Sequence, residues 1–300
     1  MIAITGACGF IGSVLVKTLN DNGMKDLLLV DNFEIDQRVG YAYNPRYEYL
    51  NGKKFNNIWN IDFDENRIFN NRDIEFIFHL GAISDTLESD LLKIRKFNVE
   101  YTKILGRFAS KKNIPVVFAS SAAVYGNGSG PLNPYAASKL ECEEILKDIA
   151  CSFRIFNVYG PNEYHKKNMS SVILKWHRER LEDGCINLFD NSRSYLRDFI
   201  YVGDVCNVML NCYNNHQKGI FDLGTGNQLS FEELAHVYIG INSANIRSVG
   251  IPDKLKAQYQ VNTVANTEGI VGNGWDVDFL KVQDGVAKYC EFLNNGEKVL

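Results

Sequence analysis

The sequence predicts an α/β fold, a Rossmann-type doubly wound parallel sheet with a smaller C-terminal substrate-binding lobe. Two observations support this prediction. Short apolar runs alternate with helical stretches through the first half of the chain, and a glycine-rich loop directly follows the first run. Such alternation is typical of βαβ units, in which both faces of the sheet are buried. After about residue 160 the alternation loosens, so we expect the second lobe there.

The expected elements can be placed in order along the chain. The first apolar run, Met1–Thr5, is followed by helical spacing over Phe10–Asn20, and Leu27–Val30 forms a second run that ends in Asp31. The later expected strands are Ile74–His79, Val116–Ala119, Phe153–Phe156, Ile186–Phe189 and Asp198–Tyr201, and the later expected helices are Ser170–Leu181, Asp204–Tyr213 and one opened by the capping box of Ser230 and Glu233. We therefore assign residues 1–160 to an NAD(P)-binding Rossmann domain, to which segments near 198–222 and 255–270 return, and residues 161–300 mostly to the substrate-binding lobe.

Composition and charge exclude several classes of function. The formal net charge is -4 over 300 residues, which argues against a nucleic-acid partner or an anionic membrane surface. No apolar run approaches the roughly 18 residues of a membrane span, and the N-terminus lacks the basic leader of a secretion signal. The 7 cysteines form no C-x-x-C pair, which indicates reduced thiols and a cytoplasmic location. The 5 histidines show no metal-ligand spacing, so no metal site is expected.

The loop Thr5–Gly12 lies between the first strand and the first helix. Gly6 permits a tight turn, Gly9 lets the backbone approach a pyrophosphate, and Gly12 lets helix and strand pack closely. The phosphate then binds the amides at the positive end of the helix. With Asp31 closing the second strand, the loop predicts a dinucleotide site.

A second motif predicts acid–base chemistry. Tyr135 and Lys139 are four residues apart on a helix that Asn133 and Pro134 open, so the phenol and the ammonium share one helix face. An adjacent ammonium and the positive nicotinamide of a bound cofactor would together lower the pKa of the phenol. The phenolate can then take a hydroxyl proton while hydride leaves the same carbon. A hydroxyl at the end of the strand before it, Ser121, is placed to hold the reacting oxygen.

These motifs carry a family resemblance. The spacing G-x-x-G-x-x-G resembles the extended short-chain dehydrogenase/reductase superfamily. Within it, the chain resembles the ADP-L-glycero-D-manno-heptose 6-epimerases nearly end to end, and the stretches that carry the likeness are TGACGFIG, LLLVDNF, NGKKFNNI, FHLGAISDT, ASSAAVYG, RIFNVYGP, HKKNMSSV, LRDFIYVGDV, FDLGTG and IPDKLKAQYQ. Lys54, the pair His165-Lys166 and the segment PDKLKAQYQ are closer to the heptose epimerases than to the 4-epimerases.

The resemblance implies a reaction and a set of roles. The expected reaction converts ADP-D-glycero-β-D-manno-heptose to its L-glycero epimer at C-6″, through transient oxidation with tightly bound NADP, on the way to the lipopolysaccharide inner core. Tyr135 and Lys166 would be the two acid/base groups, with Lys139 on the nicotinamide ribose and Ser121 near the reacting oxygen. A homo-oligomer is also implied. The implied cofactor contacts are Gly6, Gly9, Phe10, Ile11, Gly12, Asp31, Asn32, Lys54, Leu80, Gly81, Ala82, Ser84, Asn98, Tyr135, Lys139, Val158 and Lys166, and the implied substrate contacts are Ser121, Asn157, Asn168, Lys175, Phe189, Asp190, Asn191, Ser192, Arg197 and Tyr259.

Several alternatives stay open. Lys175 stands where the family has a histidine and Asn168 where it has a serine, which leaves open a UDP-hexose 4-epimerase, a sugar-nucleotide reductase or a non-catalytic nucleotide-binding protein. A dehydratase is disfavoured, because Ala122 and Ala123 occupy the places of the acidic pair that expels water. Lys166 could instead belong to a solvated basic loop, Arg197 could pair with Asp198 rather than a diphosphate, and Tyr259 could be a packing residue.

The choice of cofactor depends on the stretch 34–51. Asp31 alone favours NAD, whereas the resemblance favours NADP, with Lys54 beside the adenosine ribose. The tyrosine-rich residues 34–51 are inserted between Asp31 and Lys54. Lys54 would therefore have to fold back to reach the adenosine ribose. The stretch itself is either a flap near the cofactor or a packed excursion without function.

Overall fold

The computed structural model of the protein describes residues 1–36, 41–44, 46–69, 72–252, 260–275, 277–297 and 299–300. Within these ranges the strands are β1 Ile2–Thr5, β2 Leu27–Asp31, β3 Glu34–Asp36, β4 Tyr41–Tyr43, β5 Asn57–Asn60, β6 Phe76–His79, β7 Val116–Ser121, β8 Ala150–Ile155, β9 Asn157–Tyr159, β10 Cys185–Phe189, β11 Leu196–Tyr201, β12 Gly219–Leu223, β13 Gln228–Ser230, β14 Asn245–Val249 and β15 Asn262–Thr263.

The α-helices follow the same order. They are α1 Phe10–Asp21, α2 Leu91–Ile94, α3 Tyr101–Lys112, α4 Pro134–Leu146, α5 Val172–Asp183, α6 Val202–Asn214, α7 Phe231–Ile241, α8 Glu268–Gly272 and α9 Val282–Asn294. A stretch of π-helix, Arg95–Glu100, joins α2 to α3.

Seven parallel strands form the central sheet, in the order β5-β2-β1-β6-β7-β8-β12. The strand order runs outward in both directions from β1, so the point at which it reverses lies between β1 and β6. In open α/β sheets the ligand binds outside the carboxyl ends of the strands at such a point. The predicted doubly wound parallel sheet is thus confirmed.

Apolar side chains fill a layer on each face of the sheet. Because successive side chains of a strand point to opposite faces, Ile2 and Ile4 of β1 join one layer and Ala3 joins the other. Helix α6 packs against α1 in the first layer. The strands buried on both faces are the ones that the apolar runs predict.

The second lobe has a core of its own, built around buried aromatic residues such as Trp176, Tyr238 and Tyr289. It contains the parallel pair β10 and β14 and a small sheet of β9, β11, β13 and β15. Helix α7 begins at the predicted capping box of Ser230 and Glu233. Strand β12 belongs to the central sheet and α6 packs against α1, whereas β11 belongs to the small sheet.

Two further features bear on function. No helix in the described ranges is both long and apolar enough to span a bilayer. All 7 cysteines are free thiols.

Candidate active site

A cleft of about 1360 Å³ opens at the carboxyl ends of the central strands and is lined by both lobes. Sites for single drug-sized ligands occupy roughly 300–1,000 Å³, so this cleft has room for a dinucleotide and a second ligand beside it. The glycine loop, the β7 end, the start of α4 and the turn before α5 all contribute to its wall. The topology therefore brings the two sequence motifs to one place.

The glycine loop fits a dinucleotide. Gly6 adopts φ +71, and a Cβ there would lie 2.7 Å from Cα of Gly81. A Cβ at Gly12 would lie 2.1 Å from the carbonyl oxygen of Gly6. Gly9 caps α1 without a side-chain hydrogen bond, so no side chain covers the amides of the first turn of the helix. This cradle leaves backbone amides at the positive end of α1 to bind a phosphate.

Asp31 lies where the adenosine ribose of such a ligand is expected, and its carboxylate is already hydrogen-bonded. Oδ2 accepts from the amide of Cys8 at 2.8 Å. Oδ1 accepts from the amide of Asn32 at 2.8 Å, from Nδ2 of Asn44 at 3.2 Å and from Nη2 of Arg46 at 2.7 Å. A buried carboxylate with this many donors has little capacity left to accept ribose hydroxyls.

Arg46 is a residue that the sequence analysis missed. It belongs to the tyrosine-rich stretch 34–51 and lines the cleft. The only trace in the sequence is a basic residue 15 positions after Asp31. Lys54, which the resemblance placed beside the ribose, is exposed and does not line the cleft. Its amide and carbonyl groups bond the side chain of Asn20 on α1 instead, which holds it on the outside of the fold.

Most of the other predicted cofactor contacts line the cleft, but Asn98 does not. Asn98 is buried and does not line the cleft; its side chain bonds both backbone groups of Ile83 and the hydroxyl of Ser138. It therefore supports the loop after β6 rather than touching a ligand. The residues that do line the cleft are Gly6, Gly9, Phe10, Ile11, Gly12, Asp31, Asn32, Leu80, Gly81, Ala82, Ser84, Tyr135, Lys139, Val158 and Lys166.

Ser121 and Tyr135 meet at the centre of the cleft. Asn133 caps α4 through its side chain and Pro134 opens the helix, which aims Tyr135 at the end of β7. The Ser121 hydroxyl donates a hydrogen bond to the phenol oxygen and lowers the pKa of Tyr135, but burial outweighs this effect and raises that pKa. In this structure the phenol is therefore neutral at physiological pH.

Lys139 lies one turn further along α4. Its Nζ donates to the carbonyl oxygen of Ala119 at 2.6 Å and lies 6.0 Å from the centre of the Tyr135 ring. Burial lowers the pKa of Lys139 to about 8. The ammonium is turned toward the Ala119 carbonyl rather than toward the phenol of Tyr135.

The predicted second acid/base, Lys166, also reaches the cleft. It lies in the 3₁₀ turn Tyr164–Met169, which is interrupted at Lys167 (φ 47, ψ -116). Its Nζ lies 5.3 Å from the centre of the Phe10 ring. Burial lowers the pKa of Lys166, and the buried carboxylate of Glu163 opposes that shift. Lys166 is thus a half-buried amine facing the glycine loop, not part of a solvated basic surface.

Only some of the predicted substrate contacts line the main cleft. Asp190 and Asn191 line an adjoining hollow of about 520 Å³ that Phe189 and Ser192 share with the main cleft. Tyr259 lies outside the described residues. The main cleft is lined by Ser121, Asn157, Asn168, Lys175, Phe189, Ser192 and Arg197.

Arg197 is expected from the sequence to contact a diphosphate or to pair with Asp198. Its guanidinium donates to the carbonyl oxygens of Leu196, Val261 and Gln260. The carboxylate of Asp198 accepts from the amides of the loop around Thr225 and of Ala265. Arg197 therefore lines the cleft with a guanidinium that backbone carbonyls hold in place, and it does not pair with Asp198.

One further buried group lies outside the reaction. His79 is buried and hydrogen-bonds the hydroxyls of Thr5 and Thr102 on either side of its ring, and burial lowers its pKa to about 3. It is a packing residue at the end of the buried strand β6. Among the residues that the structure describes, no group of three or more His, Cys, Asp or Glu side chains could hold a metal ion.

Comparison with known proteins agrees with this geometry. The profile of the NAD dependent epimerase/dehydratase family matches residues 2–224. The chain is 37% identical to the ADP-L-glycero-D-manno-heptose-6-epimerase of Brachyspira hyodysenteriae over 98% of each chain.

Solved structures share the fold. The Helicobacter pylori ADP-L-glycero-D-manno-heptose-6-epimerase has a TM-score of 0.82 at 23% identity and covers 98% of this chain and 96% of its own. The UDP-N-acetylglucosamine 4-epimerase from Methanobrevibacter ruminantium M1 has a TM-score of 0.83 at 23% identity, with 98% of each chain covered. The resemblance stated from the sequence is thus confirmed, and the chain belongs to the NAD dependent epimerase/dehydratase family.

Proposed function

We propose that this enzyme converts ADP-D-glycero-β-D-manno-heptose to ADP-L-glycero-β-D-manno-heptose by inverting C-6″. The observation that carries the proposal is the 37% identity, over 98% of each chain, to an enzyme named for this epimerisation. Ser121 and Tyr135, which line a cleft that fits a dinucleotide, are the groups that would handle the proton of the reacting hydroxyl.

The chain's own groups handle the proton. The chemistry that a bound nicotinamide dinucleotide would supply is reversible acceptance of a hydride, so the reaction would have no net change of oxidation state. The positive nicotinamide of a bound cofactor would lower the pKa of Tyr135. As a phenolate, Tyr135 would then take the proton of the C-6″ hydroxyl and later give it back. Ser121, which bonds the phenol, holds the same substrate oxygen, and Lys139 holds the nicotinamide ribose.

Inversion requires proton transfer on two faces of one carbon, so a second acid/base group is needed. Lys166 is the candidate, because it lines the cleft from a separate element, the turn before α5. Burial lowers its pKa, which brings an amine closer to the range in which it exchanges protons at physiological pH.

We further propose that the cofactor is NADP rather than NAD. The support is Arg46, which lies beside Asp31 in the cleft with Nη2 2.7 Å from Oδ1. A carboxylate alone repels a 2′-phosphate, and a guanidinium next to it offers a forked donor for one. Arg46 takes the role that the sequence gave to Lys54.

Elimination chemistry is disfavoured at the same site. A sugar-nucleotide dehydratase needs an acid and a base just after the serine that contacts the reacting oxygen. Ala122 and Ala123 stand there, in a short turn that Ser121 caps. Neither side chain transfers a proton, so the keto sugar is reduced rather than dehydrated.

The test is to incubate the purified protein with ADP-D-glycero-β-D-manno-heptose in deuterated water, without added reductant, and to follow C-6″ by proton NMR. We expect the L-glycero epimer to appear without deuterium at C-6″, because the hydride returns internally. An unchanged substrate with a nicotinamide dinucleotide still bound would reject the heptose assignment and turn the search to UDP-hexoses. Deuterium at C-6″ would reject the hydride mechanism.

A further inference from the structure

Arg46–Leu50, called here the 46–50 turn, lies between two parts of the active site. Tyr47–Leu50 form a single turn of 3₁₀ helix that packs against α1. Tyr49 and Leu50 are buried, whereas Tyr47 is 41% exposed. The 46–50 turn is part of the inserted stretch whose role the sequence left open.

One end of the 46–50 turn contacts the adenosine side of the cleft. Nη2 of Arg46 bonds Asp31, and Nε of Arg46 donates to Oδ1 of Asn44 at 3.1 Å. The side chains of Asp31 and Asn44 thereby hold the guanidinium in place.

The other end contacts the turn that carries Lys166. The amide of His165 donates to the hydroxyl oxygen of Tyr49 at 3.1 Å. The two rings also pack together, with centroids 5.4 Å apart. His165 directly precedes Lys166, so Tyr49 holds the backbone one residue from the amine.

The turn Tyr164–Met169 has further anchors near its ends: Nη2 of Arg178 donates to the carbonyl oxygen of Tyr164 at 3.1 Å, and the hydroxyl of Ser170 donates to the carbonyl oxygen of Lys167 at 2.7 Å. None of its six residues is fully buried. Glu163, just before the turn, ties its two ends together, because its carboxylate accepts from the amide and the hydroxyl of Ser171 at 2.5 Å each. Within the turn, Lys167 has a left-handed backbone. These contacts fix the ends of the turn, whereas Tyr49 fixes the backbone of His165, the residue before Lys166.

We propose that Tyr49 is a positioning residue, which fixes the turn carrying Lys166 relative to the adenosine end of the cofactor site. The inference rests on the proposed role of Lys166 as an acid/base.

The first experiment measures the backbone and needs no substrate. Amide hydrogen exchange of the peptide that spans residues 163–171 is compared in the wild type, Tyr49→Phe and Tyr47→Phe. The Tyr49→Phe change keeps the ring and removes the hydroxyl acceptor. We expect faster exchange of this peptide in Tyr49→Phe alone, with unchanged exchange in the central sheet. Equal exchange in all three proteins would overturn the proposal.

The second experiment tests whether Tyr49 acts through Lys166. In the wild-type background we expect Tyr49→Phe to lower kcat about tenfold, the effect of about one buried hydrogen bond, with KM and the bound-nucleotide content unchanged. In the Lys166→Met background it should lower kcat no further. An equal loss in both backgrounds would show a general structural effect and overturn the inference. Full activity of Lys166→Met would instead reject the proposed mechanism, while the exchange result would still decide the role of Tyr49.

Discussion

Nζ of Lys139 lies 6.0 Å from the centre of the Tyr135 ring and donates to the carbonyl oxygen of Ala119 rather than to the phenol. A hydrogen bond from the Ser121 hydroxyl lowers the pKa of the phenol. The protonation state of Tyr135 is therefore set by burial, which raises its pKa, and by Ser121, which lowers it.

This balance predicts a pH effect for Ser121→Ala. Removing the hydroxyl removes the hydrogen bond that lowers the pKa of Tyr135, so that pKa rises. The limb on which kcat/KM increases with pH should move to higher pH, and the rate at neutral pH should fall about tenfold. The check is a pH profile of kcat/KM. Ser121→Thr keeps a hydroxyl and should restore the wild-type limb; an unmoved limb in Ser121→Ala would remove Ser121 from the control of Tyr135.

Tyr135→Phe should lower kcat by about 10²–10⁴, the usual contribution of a positioned acid/base group. The phenyl ring keeps the packing of the buried side chain, so the bound nucleotide content should stay at the wild-type level. Turnover is measured by NMR and the nucleotide by absorbance after heat release. Tyr125→Phe is a useful control, since that hydroxyl bonds Asp222 at the surface and the variant should stay within about threefold of the wild type. Wild-type turnover in Tyr135→Phe would exclude the phenol from the proton transfer.

Arg46→Gln should change the cofactor preference. The charge beside Asp31 is lost, so a 2′-phosphate loses a charge-assisted hydrogen bond and the NADP to NAD ratio of the bound nucleotide should fall about tenfold or more. The ratio is measured by chromatography of nucleotide released from protein purified under identical conditions.

Lys54→Gln is the matched control, because it removes the same charge from an exposed position outside the cleft. Its nucleotide ratio should equal that of the wild type. The reverse result, a change in Lys54→Gln alone, would return the phosphate contact to the residue that the resemblance favoured.

The contrast between Arg46 and Lys54 shows which parts of the site the sequence could predict. The glycine loop and the cap of α4 depend on neighbours a few residues apart, so Gly6, Asn133 and Pro134 sufficed to place them. Lys54 and Arg46 depend instead on how the inserted stretch 34–51 folds back over α1. No local sequence pattern predicts the position of Lys54, because a tertiary contact with the side chain of Asn20 determines it.

The edges of the sheet were missed for a similar reason. Central strands such as β6 and β7 are buried on both faces and read as apolar runs. The edge strands β5 and β12 are partly exposed and carry the sequences NIWN and GIFDL, in which too few apolar residues recur to reveal a strand. Burial, not strand propensity, made the inner strands predictable.

Gly12 of α1 packs closely against the backbone of Gly6 in the phosphate loop. A Cβ at this position would lie 2.1 Å from the backbone oxygen of Gly6, and a backbone atom of the phosphate loop cannot move aside as a flexible side chain would. Gly12→Ala should therefore distort the loop, lower the free energy of unfolding by about 1–3 kcal/mol or more and reduce the content of bound nucleotide.

Gly240→Ala is the control for Gly12→Ala, since Gly240 also lies in a helix, α7, but a Cβ there would meet no atom within 4 Å. Because alanine loses less backbone entropy than glycine on folding, this variant should gain about 0.5–1 kcal/mol. Both values come from urea unfolding followed by circular dichroism, with the nucleotide content measured in parallel. The two substitutions should thus change stability in opposite directions. If Gly12→Ala matched Gly240→Ala and kept its nucleotide, the tight approach of α1 to the loop would not be required for cofactor binding.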